Sequence, residues 1–343
     1  MSEIIKVKGT SMRLVVTGGA GFIGSNFVRY WVNEHPDDFV IALDALTYAG
    51  NEPSLDDIKD KIKFVQADIG DGPKIESLLT ENKIDVVVNF AAESRNSLAV
   101  VNPTLFFQTN VMGTQALLEA CRRAGVERFH HVSTCEVYGD LDLNDPGSFN
   151  EDSPYRPQTP YNASKAGGDH AVRAYHETYD LPITITNCSN NYGPYQFPEK
   201  VIPLFTTRAL NDIELPLYKT TANKREWLHV DDHCRAIDLV LQKGEIGETY
   251  NVGSGVEKSI LEIADVILDE LGKPESLKTI VPDRPSHDRR YLLDSSKLRN
   301  KLGWEPQIEF EKGVRETIQW YVNNRSWWVP LVERAPVVED NWV

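Results

Sequence analysis

Apolar residues recur along this chain in short unbroken runs, each bounded by polar residues or glycine. Arg13-Leu14-Val15-Val16-Thr17 is the first. Phe39 to Asp44, Lys63 to Asp68, Asp85 to Phe90, Arg128 to Ser133 and Ile183 to Asn187 follow. Continuous apolar runs of this length read as strands covered on both faces. The stretches between them carry apolar residues at helical spacing, as at Phe27, Val28 and Trp31. Strand and helix in alternation predict a doubly wound α/β fold, a parallel sheet with helices on both sides. Past Asn187 the alternation lapses and proline and glycine become frequent, which marks a smaller C-terminal lobe. Arg225 to Ala236 and Glu248 to Val252 are expected to return to the sheet. The expected division is 12–188 plus about 225–252 for the larger domain and 189–224 plus 253–327 for the lobe, with tails at 1–11 and 328–343.

Composition narrows the partners. A chain of 343 residues suits a large α/β unit with a second lobe. No apolar stretch approaches the roughly 20 residues of a membrane helix, so no membrane is expected. Met1 to Ser11 lack the apolar core of a signal peptide and read as a tail. The net charge of −15 argues against nucleic acid. An anionic ligand must then be met by local arginines and helix ends. Cys121, Cys135, Cys188 and Cys234 show no paired spacing, which points to a reducing cytoplasm and away from disulfides or zinc. His229, His233 and Cys234 have no complementary ligand cluster, so no metal is expected.

The first chemical signal is Gly18-Gly19-Ala20-Gly21-Phe22-Ile23-Gly24, between a strand and a helix. Gly18 allows a tight turn, Gly21 lets backbone approach a pyrophosphate, and Gly24 lets helix and strand pack closely. Asp44, 20 residues after Gly24 at the end of the second strand, suits the two ribose hydroxyls of a dinucleotide. It would repel a 2′-phosphate, which favours NAD over NADP. Asp68-Ile69 at the end of the third strand suits an adenine edge. Together they predict an NAD-binding Rossmann-type domain. The second signal is Tyr161-Asn162-Ala163-Ser164-Lys165. Four residues apart, Tyr161 and Lys165 share a helix face. The ammonium is expected to lower the phenol pKa and make Tyr161 a base for a sugar hydroxyl.

With Ser133-Thr134 after the fifth strand, these motifs resemble the extended short-chain dehydrogenase/reductase superfamily from about Met12 to Trp327. Within it the chain is most similar to enzymes of the dTDP-glucose 4,6-dehydratase type. The similarity is carried by Thr17 to Asn26, Asp44 to Asn51, Asn190 to Lys200 and Asp283 to Tyr291. It implies a tightly held NAD cycled in each turnover, a nucleoside-diphosphate hexose substrate, and a homodimer built as a four-helix bundle from Thr104 to Ala124 and Tyr161 to Tyr179. It implies cofactor contacts at Gly18, Gly21, Phe22, Ile23, Gly24, Asp44, Leu46, Thr47, Gly50, Asp68, Ile69, Phe90, Ala91, Ala92, Thr109, Tyr161 and Lys165. For the substrate it implies Ser94, Thr134, Asn190, Lys200, Val201, Tyr218, Arg225, Asn251, Arg284 and His287. Arginine suits a diphosphate through its bidentate donor fork. The implied reaction oxidises C4 through Tyr161, assisted by Thr134. Glu136 then takes the C5 proton while a neighbouring acid protonates the departing C6 hydroxyl.

Two departures bear on that reaction. The family's acid is an aspartate in the slot held here by Cys135, and a thiol donates weak hydrogen bonds. Its usual Glu-Ser-His-Val-Asp-Arg-Ser loop is here Glu93-Ser94-Arg95-Asn96-Ser97-Leu98-Ala99, where Arg95 reads equally well as a surface residue. Several outcomes stay open: full 4,6-dehydration, a 5,6-dehydratase leaving an exocyclic alkene, a 4-epimerase or decarboxylase, or a silent NAD-binding regulator. Retention of Thr134, Glu136, Tyr161 and Lys165 speaks against the last. Cys135→Asp is expected to raise 4,6-dehydratase activity.

Overall fold

The structure is a computed structural model and describes residues 11–283 and 288–334. The strands are β1 (Arg13–Thr17), β2 (Phe39–Asp44), β3 (Lys63–Gln66), β4 (Val86–Asn89), β5 (Arg128–Thr134), β6 (Ile183–Cys188), β7 (Asn190–Tyr192), β8 (Leu215–Tyr218), β9 (Lys224–His229), β10 (Thr249–Val252), β11 (Glu257–Ser259) and β12 (Lys278–Val281). A seven-stranded sheet runs in the order β10-β6-β5-β4-β1-β2-β3, and every neighbouring pair is parallel.

Period-two alternation sends successive side chains to opposite faces of this sheet. Leu14, Val16, Val40, Ala42, Val86 and Val88 pack on the helices Phe22–Glu34 and Val230–Lys243. Val15, Ile41, Leu43, Val87, Phe129 and Ile183 pack on Gly72–Glu81, Thr114–Ala124 and Pro160–Tyr179. Both faces are buried, which is why the strands read as apolar runs. The strand order reverses between β1 and β4, and a crevice opens there at the carboxyl ends of the strands.

Thr249–Val252 joins the sheet edge beside β6, as expected of Glu248 to Val252. The Arg225 stretch is a correction. Lys224–His229 pairs with β7 and β11 in a separate three-stranded sheet. Only the following helix, Val230–Lys243, returns to the main sheet, where its apolar stripe packs on the Phe22–Glu34 helix. A second core forms around Tyr192, Ile202, Phe205, Trp227, Ile263, Ile267, Phe310 and Val314. The tail expected from 328 begins as helix, because Arg325–Val332 buries Trp328 and Leu331.

Candidate active site

The crevice continues into a cavity of about 560 Å³, walled by the ends of β1, β2, β4, β5 and β6 and by the second core's elements. The glycine loop forms one end. Gly18 has a left-handed φ of 65°, and a Cβ there would stand 2.7 Å from the Ala91 nitrogen. A Cβ on Gly24 would stand 2.1 Å from the Gly18 oxygen. Only glycine lets this turn close under the first helix, so its backbone faces the cavity. Asp44 accepts from the Ala20 N–H (3.0 Å) and the Leu46 N–H (2.8 Å). Burial raises its pKa, and the backbone donors oppose that rise. A glycine cradle at a helix start, with an acid at the next strand's end, fits a dinucleotide's pyrophosphate and ribose.

Gly18, Gly21, Phe22, Ile23, Gly24, Asp44, Thr47, Gly50, Asp68, Ile69, Phe90, Ala91, Ala92 and Thr109 all line the cavity. Leu46 is not among the lining residues; it bends in the left-handed region (φ 54°) and serves through its N–H on Asp44.

The reactive end lies past β5. Thr134 caps the short turn Cys135–Tyr138, its hydroxyl accepting from the Glu136 N–H (3.3 Å). The turn brings Glu136 to the cavity wall, while Cys135 lies behind it, next to the wall residues Tyr161, Cys188 and Tyr291. Cys135 is 1% exposed among Val137, Tyr138, Ala166, Tyr291 and Leu293, and it does not line the cavity. Burial, then the neighbouring Glu136, push its thiol well above the ordinary range.

Tyr161 and Lys165 arrive on the Pro160–Tyr179 helix, capped by the Thr159 hydroxyl (3.1 Å to the Asn162 N–H) with proline at its first position. Both line the cavity. Lys165 Nζ donates to the Val132 carbonyl (2.8 Å). Burial lowers its pKa, opposed by Asp169 one turn further on. Asp169 in turn accepts from the Ser133 and Tyr155 hydroxyls (2.8 and 2.9 Å). Tyr161 departs from the expected depressed phenol. Burial and then the Glu136 charge raise its pKa, and the Thr134 hydrogen bond opposes them.

The second core's elements close the cavity. Ser94, Asn190, Lys200, Val201, Tyr218 and Arg225 line it. Arg225 Nη2 donates to the Asp288 carbonyl (2.8 Å), and the guanidinium sits 4.7 Å from the Tyr291 ring centroid. Asn251 does not reach the wall. It is fully buried, accepts from the Tyr138 hydroxyl (2.9 Å) and donates to the Phe149 carbonyl (3.0 Å). Arg284 and His287 lie outside the described residues. Among the described residues no His, Cys, Asp or Glu group assembles that could hold a metal. His229 instead caps a helix, and His233 is buried against the Asn191 side chain (2.9 Å). The four cysteines are unpaired and buried.

The rewritten loop holds what the sequence reading missed. Asn96 Nδ2 donates to Glu136 Oε2 (3.2 Å). Arg95 is no surface residue: it pairs with Glu199 (3.1 Å), their side chains 13% and 5% exposed. Lys200 Nζ donates to the Ser94 carbonyl (2.8 Å), fastening the loop from the other side. Glu93 lines the cavity with its carboxyl pushed up to about 6, by burial and then by Glu199. The polar residues in this loop were the available signal.

A dinucleotide cradle and a Thr–Glu, Tyr–Lys set on one cavity define the extended short-chain dehydrogenase/reductase class. The family model described as GDP-mannose 4,6 dehydratase matches residues 15–317, and the chain belongs to that family. A dTDP-glucose 4,6-dehydratase of Mycobacterium tuberculosis is 50% identical, over 93% of this chain and 96% of that protein. One from Escherichia coli K12 is 45% identical, over 92% and 94%. The crystal structure of a Streptomyces venezuelae dTDP-glucose 4,6-dehydratase with NAD bound superposes with a TM-score of 0.90 at 50% identity, covering 93% of this chain and all of that one. A UDP-glucose 4-epimerase of Thermotoga maritima reaches 0.85 at 27% identity, covering 92% and 100%.

Proposed function

We propose that this chain is an NAD-dependent nucleotide-sugar dehydratase that acts on dTDP-glucose, oxidising C4, removing water across C5–C6 and reducing C6. The observation that carries this reading is that Glu136, Tyr161 and Thr134 line the same cavity as the glycine cradle. An epimerase needs the tyrosine but has no use for a carboxylate poised to take a C5 proton.

NAD, when bound on Gly18 to Gly24 and Asp44, supplies the oxidation at C4 and the later reduction at C6. Tyr161 is assigned as base for the C4 hydroxyl: Lys165 and the cationic nicotinamide of bound NAD would offset the burial that raises its phenol, to which Thr134 is bonded. Lys165 contributes a positive charge on the same cavity wall. The new ketone acidifies C5, and Glu136 removes that proton. Cys135 is buried and does not line the cavity, so we assign the donor for the departing C6 hydroxyl to Glu136 itself. It passes the C5 proton to the C6 oxygen, which leaves as water. The proton released from the C4 hydroxyl balances the one returned to C5. Arg225, Asn190, Lys200 and Tyr218 are assigned to the nucleoside diphosphate and the sugar, with the second core's elements as the substrate lobe.

The proposal extends to assembly and location. Val101, Phe107 and Met112 are exposed apolar residues along Asn96–Gly113, and Tyr179 ends the neighbouring long helix. We assign this face to a homodimer's four-helix bundle, in the cytoplasm. Phe107→Glu with Met112→Glu is expected to halve the mass seen by light scattering; an unchanged mass contradicts the bundle.

The deciding experiment incubates the protein with dTDP-glucose and with UDP-glucose and analyses products by mass and NMR. Loss of one water with a C6 methyl is expected from dTDP-glucose. An exocyclic alkene supports the 5,6-dehydratase instead, and an unchanged mass with inverted C4 supports an epimerase.

A further inference from the structure

Glu136, the proposed base at C5, has its direction fixed from a distant part of the chain. Its Oε2 accepts from Asn96 Nδ2 at 3.2 Å, across 40 residues of sequence. Asn96 is itself held: the Thr159 hydroxyl donates to its Oδ1 (3.4 Å), at the cap of the helix that carries Tyr161. The preceding residue, Arg95, binds the Ser97 hydroxyl (3.2 Å) and Glu199, and Lys200 grips the Ser94 carbonyl. The loop is therefore clamped to the segment before the Val201–Leu210 helix and linked to the Tyr161 helix. Asn96, Thr134, Glu136 and Tyr161 all line one cavity. Cys135, at another position that departs from the family pattern, is buried and does not line it.

We propose that Asn96 is a positioning residue for Glu136: its amide fixes the carboxylate's direction for proton transfer at C5 and C6, in place of a second acid at position 135. This rests on the dehydratase reading. A donor on a carboxylate favours the charged form, so losing it makes Glu136 easier to protonate. Among the described residues, titratable groups facing Glu136 include Cys135 in its own turn, Tyr161 from the Pro160–Tyr179 helix, Cys188 at the end of β6, and Tyr291. Burial raises all four, so they stay neutral through the acid range in which a carboxylate titrates.

The test titrates carbon-13 glutamate-labelled protein by NMR, with Glu136→Gln identifying the Glu136 carboxyl signal. In Asn96→Leu its midpoint is expected to rise by about one pH unit, with Asn96→Gln falling between. The acid limb of the kcat profile should move up by the same amount, with KM changed less than about twofold, since the contact is to Glu136 and not to substrate. An Asn96→Leu protein that melts like the wild type and shows an unmoved Glu136 midpoint overturns the proposal, and so does a kcat loss with an unmoved limb. Failure of the wild type to dehydrate dTDP-glucose sinks the dehydratase reading instead, while the carboxyl titration still decides what Asn96 does to Glu136.

Discussion

Neighbouring side chains after β5 meet opposite environments, and that contrast governs the chemistry. Glu136 reaches the cavity wall while Cys135 is enclosed by apolar groups, with its thiol held protonated by burial. Iodoacetamide is therefore expected to leave Cys135 unmodified in the native protein and to label it after denaturation, as read by peptide mass spectrometry. Labelling of the native protein would contradict its enclosure. The same geometry reverses the expectation that Cys135→Asp raises activity. A carboxyl there is buried among Val137, Tyr138 and Leu293 and beside Glu136. The variant is expected to lose roughly 1–3 kcal/mol in chemical denaturation; equal stability with higher turnover would restore the donor role. Tyr161 and Lys165 were legible in the sequence because a four-residue spacing alone puts them on one face. Asn96 was not, because its contact with Glu136 depends on where a loop after β4 folds relative to the end of β5. The Tyr161 phenol was misjudged for a related reason: spacing predicts a nearby ammonium but says nothing about burial.

At the level of elements, the glycine turn is the least replaceable piece. Gly24→Ala places a methyl carbon 2.1 Å from the Gly18 oxygen, backbone against backbone, so the turn must open. NAD content of the purified variant is expected to fall at least about tenfold while far-UV circular dichroism keeps the helices and sheet, since one mispacked contact in a binding turn costs over about 1.4 kcal/mol. Full NAD content would show that the turn is not the cradle. The parallel strands were readable because burial on both faces leaves continuous apolar runs. β9 misled because a strand's own residues do not say which sheet it joins. Arg225 and Glu226 carry polar side chains that meet the Asp288–Leu293 segment, Arg225 also lines the cavity, and the partners β7 and β11 lie far off in sequence.

Over the whole molecule, buried histidines tie stability to pH. His233 is enclosed and its pKa is held at about 3 by burial, against an ordinary 6.5. The unfolded chain binds its proton first on acidification. The stability it confers is thus complete above 6.5 and is lost as pH falls from 6.5 toward 3. His233→Gln keeps an acceptor and donor near Asn191 but removes the titration. The stability difference between wild type and variant is expected to shift against the wild type by roughly 1.4 kcal/mol per unit of acidification in that window. A difference independent of pH would show that His233 is not enclosed. The central claim concerns the whole catalytic cycle, in which hydrogen leaves C4 and arrives at C6 inside one closed cavity. Turnover of dTDP-glucose deuterated at C4 tests it most directly, with NMR of the product. The account predicts loss of one water and deuterium in the C6 methyl group. Deuterium back at C4, with an exocyclic alkene or an inverted hydroxyl, would contradict it.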